Sequence, residues 1–180
     1  MKASEKCYNL IMSFEGCAIK AYQCSGGRWT IGYGHTTSVH PDQVITKEQA
    51  RQLLMQDVNL YESYVNENIV KKIDYELTQG QFDALVSFSY NLGSISTKSG
   101  LHACIMMGDH VGAVEKLLLY TKSGGSSLLG LHRRRFAEAL LFTGFILNEV
   151  DKQRIRTEMD NLELNQKGIE LMKWYERELK

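Results

Sequence analysis

The spacing of apolar residues changes period within the first forty positions, and that change restricts the fold more than any other feature of the chain. Ser4 precedes a helical face formed by Cys7, Leu10, Ile11 and Phe14, with Glu5 in the first turn, where the helix dipole favours an anion. Glu15 closes that stretch. From Ala21 to Thr36, Tyr22, Trp29, Ile31 and Tyr33 follow a strand pattern around a Ser25-Gly26-Gly27 turn, which predicts a small β-hairpin or meander. The helical period then returns behind two capping boxes, Thr46 to Gln49 and Thr78 to Gln81. The first opens a helix over about 47–66 through Ala50, Leu53, Leu54, Val58, Tyr61 and Val65, long enough to bridge two lobes. The second opens a strongly apolar helix through Phe82, Leu85, Val86, Phe88 and Tyr90, stopped at Asn91-Leu92-Gly93. Shorter helices are expected over about 100–107 and 109–120, a flexible turn over Ser123 to Ser127, and a last helix from Leu131 to Phe142 ending at Gly144. Only Pro41 interrupts the chain. The expected fold is α+β: a small β-lobe, with sheet between Ala21 and Val39, joined by the long helix to a larger helical lobe.

A chain of 180 residues can bury close to about 70% of its unfolded surface in one core. Lys plus Arg and Asp plus Glu each total 21, so no global field favours nucleic acid or an anionic membrane. Lys2, Glu5, Lys6, Glu15 and Lys20 break the first twenty residues, which leaves no apolar run for a signal peptide or membrane anchor and implies a protein made and held in the cytoplasm. Four cysteines, at 7, 17, 24 and 104, lack metal-ligand spacing and are expected as free thiols, three of them filling the core. No metal or cofactor is called for. The catalytic domain is expected over 1–148. Beyond it, 149–180 carries eight acids and seven bases with Ile155, Met159, Leu162, Ile169, Met172, Tyr175 and Leu179 at helical intervals. That extension is expected to dock on the helical lobe or pair with a second copy, making the protein a monomer or a dimer.

One stretch carries chemistry. Hydrolysis of a glycoside needs a group that protonates the leaving oxygen and a second that activates water or attacks carbon. Glu15, at an apolar helix end facing a sheet, is placed for the first task. Eight residues separate it from Cys24, and five more lie before Thr30. This spacing, with Phe14-Glu15-Gly16, Ala21-Tyr22 and Thr30-Ile31-Gly32-Tyr33-Gly34-His35-Thr36, resembles the phage-type lysozymes of glycoside hydrolase family 24. Their motif is Glu, eight residues, Asp or Cys, five residues, Thr. The resemblance continues through Ile45 to Ala50, Leu53-Leu54 with Asp57-Val58, Gln81 to Phe88 with Asn91 and Gly93, and Gly130 to Arg135 with Glu138. It covers about residues 4 to 144.

The resemblance implies a lysozyme-like fold, Glu15 as general acid, Cys24 at the second catalytic position and Thr30 as a hydroxyl that positions water. The implied substrate is the β-1,4 bond between N-acetylmuramic acid and N-acetylglucosamine in bacterial peptidoglycan. The implied biology is a phage endolysin that needs a holin to reach its substrate from the host cytoplasm. Tyr33, Gly34, Tyr90 and Asn91 are the expected substrate contacts. His35 paired with Asp57 is expected as structural support. One arginine of the run Arg133 to Arg135, taken as Arg134, is expected to reach back to Glu15. Cys24 departs from the more usual Asp. A carboxylate with pKa about 3.9 is ionised at neutral pH, whereas a thiol near about 8.5 is only about 3% thiolate. Thiolate as base for a water, giving inversion, and thiolate as nucleophile, giving retention, both remain open. A link from Cys24 to Cys17 or Cys7 under oxidation is a further expectation. Two other functions fit the same residues: a lytic transglycosylase, which needs no second group, and an inactive peptidoglycan-binding relative or effector.

Overall fold

The computed structural model describes residues 1–24 and 26–144, so the expected amphipathic helix and the boundary at 148/149 lie outside the described residues. Helix α1 (Glu5–Glu15) starts where the Ser4 side chain accepts the Lys6 N–H, and ends at Gly16, whose φ of 66° reverses the chain. Strand β1 (Ala18–Gln23) pairs antiparallel with β2 (Trp29–Gly32), with Tyr22 opposite Thr30 and an irregularity between Ala18 and Tyr22. The sheet therefore begins at Ala18, three residues before the expected start, and ends at Gly32 instead of Val39. Ile19 and Val44 are exposed, so the apolar alternation does not mark either edge. Ala21 N–H donates to Gln43 O and Ile45 N–H to Ile19 O, which lays an unpredicted extended segment along β1.

Helix α2 (Lys47–Val65) opens with the complete Thr46/Gln49 capping box and contacts both β2 and the helical lobe, as a bridging helix must. One wider turn, Asn66–Val70, extends it. Helix α3 (Gln79–Leu92), behind the Thr78/Gln81 box, is buried without interruption from Gln81 to Ser89 and packs on α1, α2 and α6 (Leu129–Thr143). Helices α4 (Gly100–Met106) and α5 (His110–Leu118) complete the lobe. The turn expected over Ser123 to Ser127 closes a short hairpin. Lys122–Ser123 (β3) and Ser126–Ser127 (β4) form a hairpin around Gly124-Gly125, whose φ values of 56° and 82° suit a two-residue turn needing two left-handed residues. Helix α6 starts two residues earlier than expected and stops at Gly144, with φ 56°.

Among the cysteines, Cys7 and Cys104 are core residues, but Cys17 is exposed, so two and not three fill the interior. Cys7 is wholly buried. Cys17 and Cys24 lie beyond opposite ends of the six-residue β1, about 16 Å or more apart at strand rise, against a Cα separation of about 7 Å at most for a disulfide. A Cys17–Cys24 link is therefore out of reach in this conformation, and Cys7, the other expected partner, is closed off from solvent in the core.

Gly80 lets α3 cross α6 closely: a Cβ there would collide with the Leu141 carbonyl, which is backbone and cannot rotate away. Gly80→Ala gains under about 1 kcal/mol in helix propensity but incurs about 1–3 kcal/mol of overpacking. Thermal unfolding should show Tm lowered by several degrees; an unchanged or raised Tm would contradict the close crossing.

Candidate active site

Glu15 is the last residue of α1, and its carboxyl is partly buried where α6 and the turn after β2 meet it. Gly34, in the turn after β2 with φ 96°, faces it directly: a Cβ there would lie 3.7 Å from Glu15 Oε2 and 3.9 Å from the Tyr90 hydroxyl. Any side chain at 34 would sit over the carboxyl. Of the three consecutive arginines, Arg134 makes the ion pair with Glu15 through Nη1, and its guanidinium lies 5.8 Å from the Phe14 ring centre.

Arg134 is itself held from behind. Its Nε donates to Glu138 Oε1 at 3.2 Å and its Nη2 to the Ser87 carbonyl at 3.3 Å. Glu138 is fully buried and also accepts from Ser87 Oγ at 2.8 Å and Arg135 Nη2 at 3.0 Å. Burial pushes the Glu138 carboxyl upward against the pull of the two guanidiniums, and pushes the Arg135 guanidinium down to about 10. Ser87 and Arg135 were not recognised as site residues from the sequence. The signal for α6 was available, since positions 134, 135 and 138 share one helix face at spacings of three and four.

On the hairpin, Cys24 is half-buried beyond the end of β1, beside Thr30 on β2. Its thiol is held below the ordinary value, chiefly by the backbone N–H of Arg28, then by that of Gly26, with smaller help from the Thr30 hydroxyl and the Arg28 charge. Thr30 is nearly fully buried, and its hydroxyl also lies 3.2 Å from the Arg28 carbonyl. Its single proton can turn to the sulfur when that becomes an anion. These amide donors went unnoticed in the sequence. The glycine turn after Cys24 was the available signal, because successive N–H groups in such a turn form an anion-binding concavity.

The remaining expected residues fall around this pair. His35 Nδ1 lies 2.9 and 3.0 Å from the two Asp57 carboxylate oxygens and Nε2 lies 2.9 Å from the Thr37 carbonyl, which ties the turn after β2 to α2. Tyr90 donates to the Tyr33 carbonyl at 2.7 Å and packs edge-on against Tyr61, so it is a strut between α3 and the β-lobe. Tyr33 is half-buried, its phenol pushed up by burial and then by Cys17. Asn91 Oδ1 accepts from Arg135 Nη2 at 3.0 Å, which leaves its amide nitrogen as the group not engaged by that bond.

A small hairpin lobe, a bridging helix and a carboxyl clamped at the junction define a lysozyme-like glycoside hydrolase. The family model for phage lysozyme matches residues 12–138, from before Glu15 through Glu138, and the chain belongs to that family. It is 40% identical over 147 residues to an endolysin of Acyrthosiphon pisum secondary endosymbiont phage 1, an alignment covering 79% of this chain and 98% of that relative. It is 43% identical over 146 residues to an endolysin of Bacillus phage B103, of which it spans only 54%. Among solved structures, the muramidase domain of SpmX from Asticaccaulis excentricus superposes with a TM-score of 0.70 at 37% identity, covering 78% of this chain and 97% of that one.

Proposed function

We propose that the protein is an endolysin that hydrolyses the β-1,4 bond between N-acetylmuramic acid and N-acetylglucosamine in peptidoglycan, acting from the host cytoplasm through holin-made openings. The observation that carries this reading is the placement of Glu15 at the lobe junction, paired with Arg134 and faced by the open Gly34 turn. With it, Cys24 and Thr30 lie side by side at the hairpin end, and the Cys24 thiol is lowered chiefly by the Arg28 and Gly26 backbone. A second anionic group is what a hydrolase needs beside its acid; a lytic transglycosylase has no use for one, and a binding protein has use for neither. Glu15 protonates the leaving oxygen. Thr30 works on the sulfur, and the sulfur on water or on the anomeric carbon. Gly34 leaves room for a sugar over Glu15, Tyr33 lines the same turn, and the Asn91 amide nitrogen is the donor available to an N-acetyl carbonyl. Tyr90 enters as the strut behind them. The endolysin names of the relatives and the muramidase name of the SpmX domain support the same assignment.

Digestion of purified peptidoglycan followed by mass spectrometry should release fragments with reducible muramic acid ends. Anhydro ends would replace this reading by transglycosylation, and intact sacculi would leave only binding. Rapid NMR of the first product separates the two thiolate routes, α for inversion and β for retention.

A further inference from the structure

Arg134, Arg135 and Glu138 are buried to within 3% of complete on one face of α6. Buried ion clusters are weak stabilisers, since desolvation offsets most of their attraction and apolar residues of like size often replace them without loss. Stability alone does not account for three such side chains. The cluster leads outward to one half-buried group. From Ser87 and Arg135 the bonds run to Glu138 Oε1, from Glu138 to Arg134 Nε, and from Arg134 Nη1 to Glu15. Every nitrogen of the Arg134 guanidinium has a partner, and Glu138 fixes the Nε edge. Glu138 also sets the local charge balance. With it, two guanidiniums face two carboxyl groups; without it, Glu15 alone faces both.

We propose that Glu138 is a positioning residue for Glu15, orienting the Arg134 guanidinium and balancing the charge of Arg135. This rests on the reading of Glu15 as general acid, so the parent protein must first cleave a soluble oligomer of alternating N-acetylmuramic acid and N-acetylglucosamine. No cleavage by the parent is a failure of that reading and not of this one. Glu138→Gln keeps an oxygen that can accept from Ser87 and Arg134 while removing the charge. Its kcat should fall about tenfold with KM changed little, because the loss acts on the acid and not on sugar binding. In Arg135→Met/Glu138→Gln the charges balance again, and kcat should rise above that of the single variant. A purely structural Glu138 predicts the reverse, further damage from losing a second buried partner. Folding of each variant is checked by near-ultraviolet circular dichroism. A folded Glu138→Gln with parental kcat, a folded double variant slower than the single one, or failure of both to fold would each overturn the proposal.

Discussion

Glu15→Gln should lower the rate of clearing of outer-membrane-permeabilised cells by about 10³-fold while the protein stays folded, since positioned acid–base groups contribute about 10²–10⁴-fold. Gln has the shape of Glu and can still accept from Arg134, so the lobe junction is preserved and only the transferable proton is lost. Stability should change by no more than about 1 kcal/mol, because the Glu15 side chain is 23% exposed and Arg134 keeps Glu138 as a buried counter-charge. Retention of more than about one tenth of the parental rate would remove Glu15 from the role of acid. A folded but silent variant, measured by Tm alongside turbidity, separates loss of chemistry from loss of structure.

The extent to which this site is legible in the sequence follows from what kind of group does each job. Glu15, Cys24 and Thr30 are singled out only by resemblance to the phage-type lysozyme motif, whereas α2 and α3 are marked by capping boxes that are wholly local. The limits of the sheet are not local: Ile19 and Val44 look like core residues, yet both face solvent, so the edges of the β-lobe carry no alternation. The Gly124-Gly125 pair reads as flexibility in one dimension and as a two-residue hairpin turn once both φ values are known. Three adjacent arginines are indistinguishable as letters. Helix phase sends Arg134 to Glu15 and Arg135 to Asn91, and only tertiary packing of α6 on α3 sets that phase. The main donors to Cys24 have no letter at all, because they are backbone N–H groups of Gly26 and Arg28.

Cys24→Ala should lose activity by about 10²-fold or more, and Cys24→Asp should keep most of it, because both Asp and a thiolate place an anion at the end of β1 and alanine places none. Substantial turnover by the alanine variant would remove the sulfur from catalysis. How the thiol becomes an anion is tested separately, by the pH dependence of its alkylation with iodoacetamide, since only the thiolate reacts. The folded protein holds this thiol below its ordinary value, so the thiolate form, and the alkylation rate, should rise with a midpoint below that of the same cysteine in the unfolded chain. The sign for stability follows: between the folded and unfolded midpoints the unfolded chain binds more protons, so stability grows as pH rises through that window. Side-chain changes should recover only part of the shift. Thr30→Val removes the hydroxyl donor and Arg28→Ala the nearby charge, and each should move the midpoint upward, but neither touches the Arg28 and Gly26 amides that contribute most. If Thr30→Val and Arg28→Ala together returned the midpoint to the unfolded value, the backbone turn would not be the source of the thiolate. A midpoint still depressed in the double variant would place the anion-stabilising element in the hairpin backbone.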